Sequence, residues 1–255
     1  MRERSLSKVS VDDPWEALRR RTAARIALGR AGSALPTAAL LAFELDHARA
    51  RDAVHRALDL EQLDRDLQSS TATTIHVASA ATDRATYLLR PDLGRRLADA
   101  SREALSVSKP AGFDVLFVIA DGLSALGVQS HAPALLAAVL PMLDGLSIGP
   151  VVIAEQARVA LGDEVGALLK ARSVVMVIGE RPGLTSPDSI GLYLTFEPQV
   201  GRHDAERNCI SNVRPRGLPP QAAATKLAWL IRASLRLSLS GVALKDDSAL
   251  IDATP

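Results

Sequence analysis

Three apolar runs constrain this chain more than any other feature: Phe113–Ala120, interrupted only by Asp114, Val151–Ala154 within the segment Pro150–Glu155, and the unbroken Val174–Ile178. Each ends at a polar stop, Asp121-Gly122 after the first, Glu155 after the second, and Gly179-Glu180 with Pro182-Gly183 after the third. Runs of this length and composition read as strands buried on both faces. The intervening segments carry helical patterns. Leu126–Leu143, with Pro133 as a possible kink, follows the first run, and Val159–Leu169 follows the second. Ile190–Phe196 alternates enough for a fourth, edge strand, and a last helix runs about Pro220–Ser238 behind Pro219-Pro220. Strands alternating with helices imply a mostly parallel sheet with right-handed crossovers. The expected fold class is α/β, with a Rossmann-like sheet flanked by helices over residues 110–255 and a helical lobe over residues 1–109.

The lobe is read from helical patterning. Trp15–Leu28 has Asp12 or Asp13 as cap and Pro14 in its first turn, and Pro36–Leu60 follows as a long helix. Leu67–Ala81 is less regular, with β-branched residues placing a short strand at Thr73–Val77. Arginines crowd the first thirty residues, which reads as a solvated face or as an arm for an acidic partner. His47 and His55 lie on the second helix without the i,i+4 spacing of two metal ligands on one turn, so a structural role is expected.

Composition removes several functional classes. The formal net charge is +1, which creates no global field for nucleic acid or anionic lipid. Aromatic residues are 3% of the chain, too few for a base-stacking platform. The single cysteine, Cys209, excludes an intrachain disulfide and a CxxC pair, in keeping with a reducing cytoplasm. Met1–Asp13 lacks an apolar stretch, so no secretory signal is expected, and no spanning helix is expected either.

The usual cofactor and nucleophile motifs are missing. Asp121-Gly122-Leu123-Ser124-Ala125-Leu126-Gly127 stands at a strand-to-helix turn but lacks the middle glycine of a dinucleotide fingerprint. Asp121 is expected to cap the following helix. No GxSxG elbow occurs, and Cys209 with His203 has no third member. Glu180 remains, as a cap over the Pro182-Gly183 turn or as a carboxylate that accepts hydrogen bonds from a ligand at the carboxyl edge of the sheet. Arg181 next door could instead pair with Asp188 or Glu197. Arg207-Asn208-Cys209-Ile210-Ser211-Asn212 is read as a ligand-facing loop.

Five blocks in order give a family resemblance. They are Asp46-His47-Ala48-Arg49-Ala50-Arg51-Asp52, Tyr87 to Arg95, Arg158-Val159-Ala160-Leu161-Gly162-Asp163, Ile178 to Leu184, and Asn208-Cys209-Ile210-Ser211-Asn212. The chain after about residue 13 resembles the small (light) subunit of ethanolamine ammonia-lyase. The resemblance implies a lyase that converts ethanolamine to acetaldehyde and ammonia by a radical mechanism with adenosylcobalamin. It implies a partner, the large barrel-type subunit, to which the ethanolamine site mainly belongs, with the cobalamin between the two chains. By motif, the cobalamin contacts carried over are Val159, Glu180 and Cys209, with no catalytic residue and no metal ligand on this chain. Many cobalamin domains bind cobalt through a histidine in an Asp-x-His-x-x-Gly motif, which Asp46-His47 does not match. In some members the first segment directs packaging into a protein-shelled microcompartment, and Met1–Asp13 matches no such tag. The alternative from another class is a stand-alone α/β module that binds a cobalamin or a nucleotide without catalysis.

Overall fold

The computed structural model of the chain describes residues 14–22, 24–70, 73–107 and 112–248. Asp12 and Asp13 and the boundary expected between residues 109 and 110 lie outside them. Two compact units are present, one up to Ala48 and one from Arg49 onward. The first contains helix α1 (Glu16–Arg19) and the start of α2 (Thr37–His55). The expected helix over Trp15–Leu28 is therefore a single turn, because Arg-Arg-Arg-Thr offers no apolar stripe to continue it. Within this unit Arg25 pairs with Asp46 at 2.6 Å, and the rings of Phe43 and His47 stack at 6.3 Å.

The second unit begins with the carboxyl end of α2. It continues through α3 (Leu60–Leu67), β1 (Thr74–Ala78), α4 (Arg84–Leu89) and α5 (Asp99–Val107). Then follow β2 (Phe113–Ala120), α6 (Ala125–Val139), β3 (Val151–Glu155), α7 (Leu161–Leu168) and β4 (Ala171–Gly179). The chain completes the fold with β5 (Ile190–Phe196), β6 (Arg207–Val213) and α8 (Pro220–Leu237). The six strands form one sheet in the order β1-β3-β2-β4-β5-β6. The first four are mutually parallel, while β5 runs antiparallel to both β4 and β6. The mostly parallel sheet expected from the sequence is present, and it takes a strand, β1, from before residue 110.

Apolar side chains from alternate strand positions separate into two cores. Val115, Phe117, Ile119, Val175 and Val177 pack with α3, α6 and α8 on one face. Leu116, Val118, Val174 and Met176 pack with α5 and α7 on the other. Burial on both faces is why these strands read as continuous apolar runs. The stretch Ala125–Leu143, α6 and its 3-10 continuation, is long and apolar enough to cross a membrane by length and composition alone. Val128, Ala132, Leu135, Leu136 and Val139 on this stretch are fully buried in the first core, which accounts for that composition.

Connectivity places the functional edge. β2 leads through α6 to β3 on one side, and β3 leads through α7 to β4 on the other. The helices that leave β2 and β3 lie on opposite faces of the sheet. Such a switch point opens a crevice beyond the strands' carboxyl ends, where ligands bind in open α/β sheets.

Two edge assignments change. Ile190–Phe196 is an interior strand, because β6 pairs along it from Ile190↔Val213 to Thr195↔Arg207. The Asn208–Asn212 segment belongs to β6 rather than to a loop. Its polar residues are those of an exposed edge, which hides the strand from a reading based on apolar runs.

Candidate functional site

A cavity of about 410 Å³ opens at this switch point, lined by residues including Gly122, Leu123, Val159, Ile178, Gly179 and Glu180. They come from the turn after β2, the turn after β3 and the end of β4. The two glycines let these turns meet. A Cβ on Gly122 would lie 2.3 Å from the Gly179 carbonyl oxygen, and Gly122 sits at φ +53°, which favours glycine on its own. The Leu123 N–H donates to that same carbonyl at 2.9 Å.

Beneath the cavity lies a polar layer that the sequence did not announce. Asp121, expected to cap α6, is buried, and Ser124 caps that helix by accepting from the Gly127 N–H. Asp121 instead accepts from Arg84 Nη1 at 3.1 Å and from the Ala157 N–H at 3.2 Å. Burial pushes its carboxyl up to about 6, while Arg84 and the backbone donors pull it back. Tyr87, fully buried, donates its hydroxyl to the Ala157 carbonyl at 2.9 Å. Ala157 is thus held through both its N–H and its C=O. The turn that carries Arg158 and Val159 is fixed from below.

Val159 lies in that turn, two residues ahead of α7 rather than at its first helical position. Glu180 follows the last residue of β4, and its carboxylate accepts the Asn212 N–H at 3.1 Å through each oxygen. It therefore ties β4 to β6 rather than capping the Pro182-Gly183 turn, and two oxygens with a single donor keep spare acceptor capacity. Val159 and Glu180 share the cavity wall. Cys209 sits mid-strand on β6, exposed, opposite Tyr193, which also lines the cavity. Although its surface is open, partial desolvation by the atoms packed around it, with the nearby Glu180 charge, raises the thiol's pKa, which makes it a poor nucleophile at neutral pH. The structure brings Val159 and Glu180 together and sets Cys209 one residue pair away. Arg181 makes no ion pair among the described residues; Asp188 faces His131 and Glu197 faces Arg202. No cluster of three metal-capable side chains occurs among the described residues, and His47 and His55 take part in none.

The groove thus offers aliphatic wall, a carboxylate acceptor and backbone polar groups. It shows no nucleophile–base pair at its lining, which suits binding and orientation rather than bond-making by side chains.

A family model described as ethanolamine ammonia-lyase light chain (EutC) matches residues 12–245. The chain is 54% identical over 241 residues to the ethanolamine ammonia-lyase small subunit of Xanthomonas campestris pv. campestris, covering 92% of this chain and 89% of that one. It is 54% identical over 239 residues to the small subunit of Bradyrhizobium diazoefficiens, with 92% of each chain covered. Against the small subunit of Azotobacter vinelandii it is 53% identical over 244 residues, covering 94% of this chain and 90% of that one. Agreement of this extent reaches every element of the sheet that builds the groove. The chain belongs to the ethanolamine ammonia-lyase light-chain family.

Proposed function

We propose that this chain is the small subunit of an adenosylcobalamin-dependent ethanolamine ammonia-lyase, and that the groove at the β2/β3/β4 carboxyl edge holds one side of the corrinoid against a large subunit. The observation that carries this is the shared cavity of Val159 and Glu180 at the sheet's switch point. The residues suit a corrin. Leu123, Val159 and Ile178 offer aliphatic surface to a broad apolar ring, and the Glu180 oxygens accept from the amide N–H groups on its rim. Cys209 adds a small polarisable group beside Tyr193. When bound, adenosylcobalamin supplies the radical that starts the conversion of ethanolamine to acetaldehyde and ammonia.

This chain's residues bind and orient. Arg84, Tyr87 and Asp121 hold the Val159 turn, and Glu180 ties β4 to β6, so contacts within this chain fix the walls of the groove. Preorganisation of that kind lowers the ordering cost of binding. The large, barrel-type subunit closes the site and supplies most of the ethanolamine contacts. The assembly resides in the cytoplasm, as a free hetero-oligomer or inside a microcompartment.

Co-expression with a barrel-type chain tests this directly. Acetaldehyde release should require both chains and adenosylcobalamin; turnover by the large chain alone, or none by the pair, refutes it. A stand-alone binder would instead saturate with cobalamin without any partner.

Glu180→Gln should weaken cobalamin binding by the two-chain complex by about 1.5–3 kcal/mol, the worth of a hydrogen bond to a charged group. The glutamine carbonyl can still accept the Asn212 N–H, so the tether and the thermal unfolding temperature should survive. Equal affinity in a spectroscopic titration would remove Glu180 from the site.

A further inference from the structure

Arg158 has no place in the scheme above, and of the Tyr87–Arg95 block that marks the family only Tyr87 has one. The structure joins them. Arg158 stacks over the Tyr87 ring at 4.3 Å from its centroid, on a ring that also carries Arg84 at 4.9 Å. Its N–H donates to the Gly94 carbonyl at 2.7 Å. Gly94 must lack a side chain, because a Cβ there would meet Tyr87 Cε2 at 2.9 Å and Arg158 Cγ at 3.0 Å. A buried aromatic and a glycine are therefore spent on placing one guanidinium.

That guanidinium lacks an acidic partner. Arg158 forms no ion pair among the described residues; its Nη2 makes one long contact, 3.4 Å, to the Tyr87 carbonyl, and its Nε is buried without an acceptor. The residue lines the cavity already described and also a second one of about 330 Å³, lined by Arg95, Val159, Ala160, Tyr193, Arg202, His203 and Asp204 among others. Arg95 is exposed and likewise has no carboxylate partner among the described residues. The remaining charges there are engaged elsewhere. Arg202 holds Glu206, His203 closes a capping box with Glu206, and exposed Asp204 lies 3.7 Å from Arg207. The N–H groups of Val159 and Ala160, in the turn just ahead of α7, donate to no acceptor among the described residues. Two unpaired guanidinium groups and two free backbone donors on one groove make a receptor for a compact anion rich in acceptor oxygens.

We propose that Arg95, Arg158 and the Val159–Ala160 backbone form a phosphate subsite continuous with the cofactor groove, and that it takes the phosphodiester of the corrinoid's nucleotide tail. The assignment to the corrinoid rests on the proposed function. The subsite itself rests on the unpaired cations. It splits the ligand between two neighbouring cavities that share Arg158, Val159 and Tyr193: an aliphatic one with a carboxylate for the amide-bearing ring, and a cationic one for the tail.

The test is a titration of the two-chain complex with cyanocobalamin, with dicyanocobinamide, which lacks the nucleotide tail, and with inorganic phosphate. Arg158→Met should weaken cyanocobalamin at least tenfold and leave cobinamide unchanged. Arg95→Gln, an exposed change that spares the Tyr87 stack, should act in the same direction by a smaller factor. Phosphate should compete with cyanocobalamin in the parent complex and lose that effect in Arg158→Met. Equal weakening of both corrinoids would show that Arg158 merely shapes the turn, and no weakening of either would remove it from the site; each overturns the proposal. Phosphate that binds through Arg158 without displacing cyanocobalamin overturns the corrinoid tail as its source. If the complex takes up no corrinoid, the proposed function falls, and phosphate binding to the full-length chain decides the subsite alone. Saturation that Arg158→Met abolishes upholds the subsite, and its absence ends it.

Discussion

Arg207→Met should lower the free energy of unfolding by about 3–5 kcal/mol, the cost of stranding one member of a buried ion pair. Arg207 at the start of β6 and Asp163 in α7 meet through two hydrogen bonds of 2.6 Å, with side chains 2% and 1% exposed. The guanidinium also donates to Thr195 Oγ1 at 2.8 Å and to the Arg202 carbonyl at 2.9 Å. The pair joins the helix behind Val159 to the strand of Cys209, so its loss loosens two walls of the groove at once. Burial already pushes the Asp163 carboxyl up, and the Arg207 bonds oppose that shift. Without Arg207, Asp163 binds a proton more readily folded than unfolded. Its contribution then falls as pH rises, so the variant's deficit should be largest near neutral pH and shrink toward acid. Denaturant unfolding at several pH values measures this. Asp163→Leu combined with Arg207→Met should recover most of the loss, because an apolar pair strands no charge. A single variant as stable as the parent at neutral pH would show that the pair contributes nothing.

Parts of this site were legible in the sequence for a simple reason. β2 matches its expected span, Phe113–Ala120, because both faces of a central strand demand apolar residues and local composition reports that demand. Glu180 was legible because polarity changes abruptly at a strand end. β6 was not, since Asn208, Cys209, Ser211 and Asn212 serve an edge whose pairing with β5 is set by distant residues. The helices α3, α4 and α5 are short, and isolated short helices carry little sequence signal without their packing partners. Asp121 illustrates the same limit. Position favours a cap, yet Ser124, three residues on, takes that role, and Asp121 turns to Arg84, 37 residues away. The partnership of Tyr87, Gly94 and Arg158 spans some 71 residues between its ends, and no local pattern encodes it. The family blocks held those residues without saying what they do together.

Gly179→Ala should be the most damaging small substitution in the groove. Gly179 closes β4, and a Cβ there would lie 2.1 Å from the Ser124 carbonyl oxygen and 2.4 Å from that of Asp121. Both are backbone atoms of the turn after β2, so no side chain can swing aside. The turn must retreat. Retreat breaks the 2.9 Å hydrogen bond from the Leu123 N–H to the Gly179 carbonyl and disturbs the Ser124 cap on α6. Overpacking of this kind costs about 1–3 kcal/mol, and the lost hydrogen bond and cap add about 1 kcal/mol each, so roughly 3–5 kcal/mol is expected. The displaced turn carries Gly122 and Leu123, which line the groove proposed for the corrinoid, so corrinoid affinity of the two-chain complex should fall with stability. Gly162→Ala separates crowding from glycine loss in general. That glycine lies inside α7, where the nearest atom to a new Cβ is the mobile Met176 methyl at 3.1 Å. Helix propensity favours alanine there by roughly 0.5–1 kcal/mol, so Gly162→Ala should be neutral or stabilising and bind corrinoid as the parent does. Comparable unfolding midpoints for the two variants would mean that the β2 and β4 turns are not locked together, and that the groove floor is softer than its contacts require.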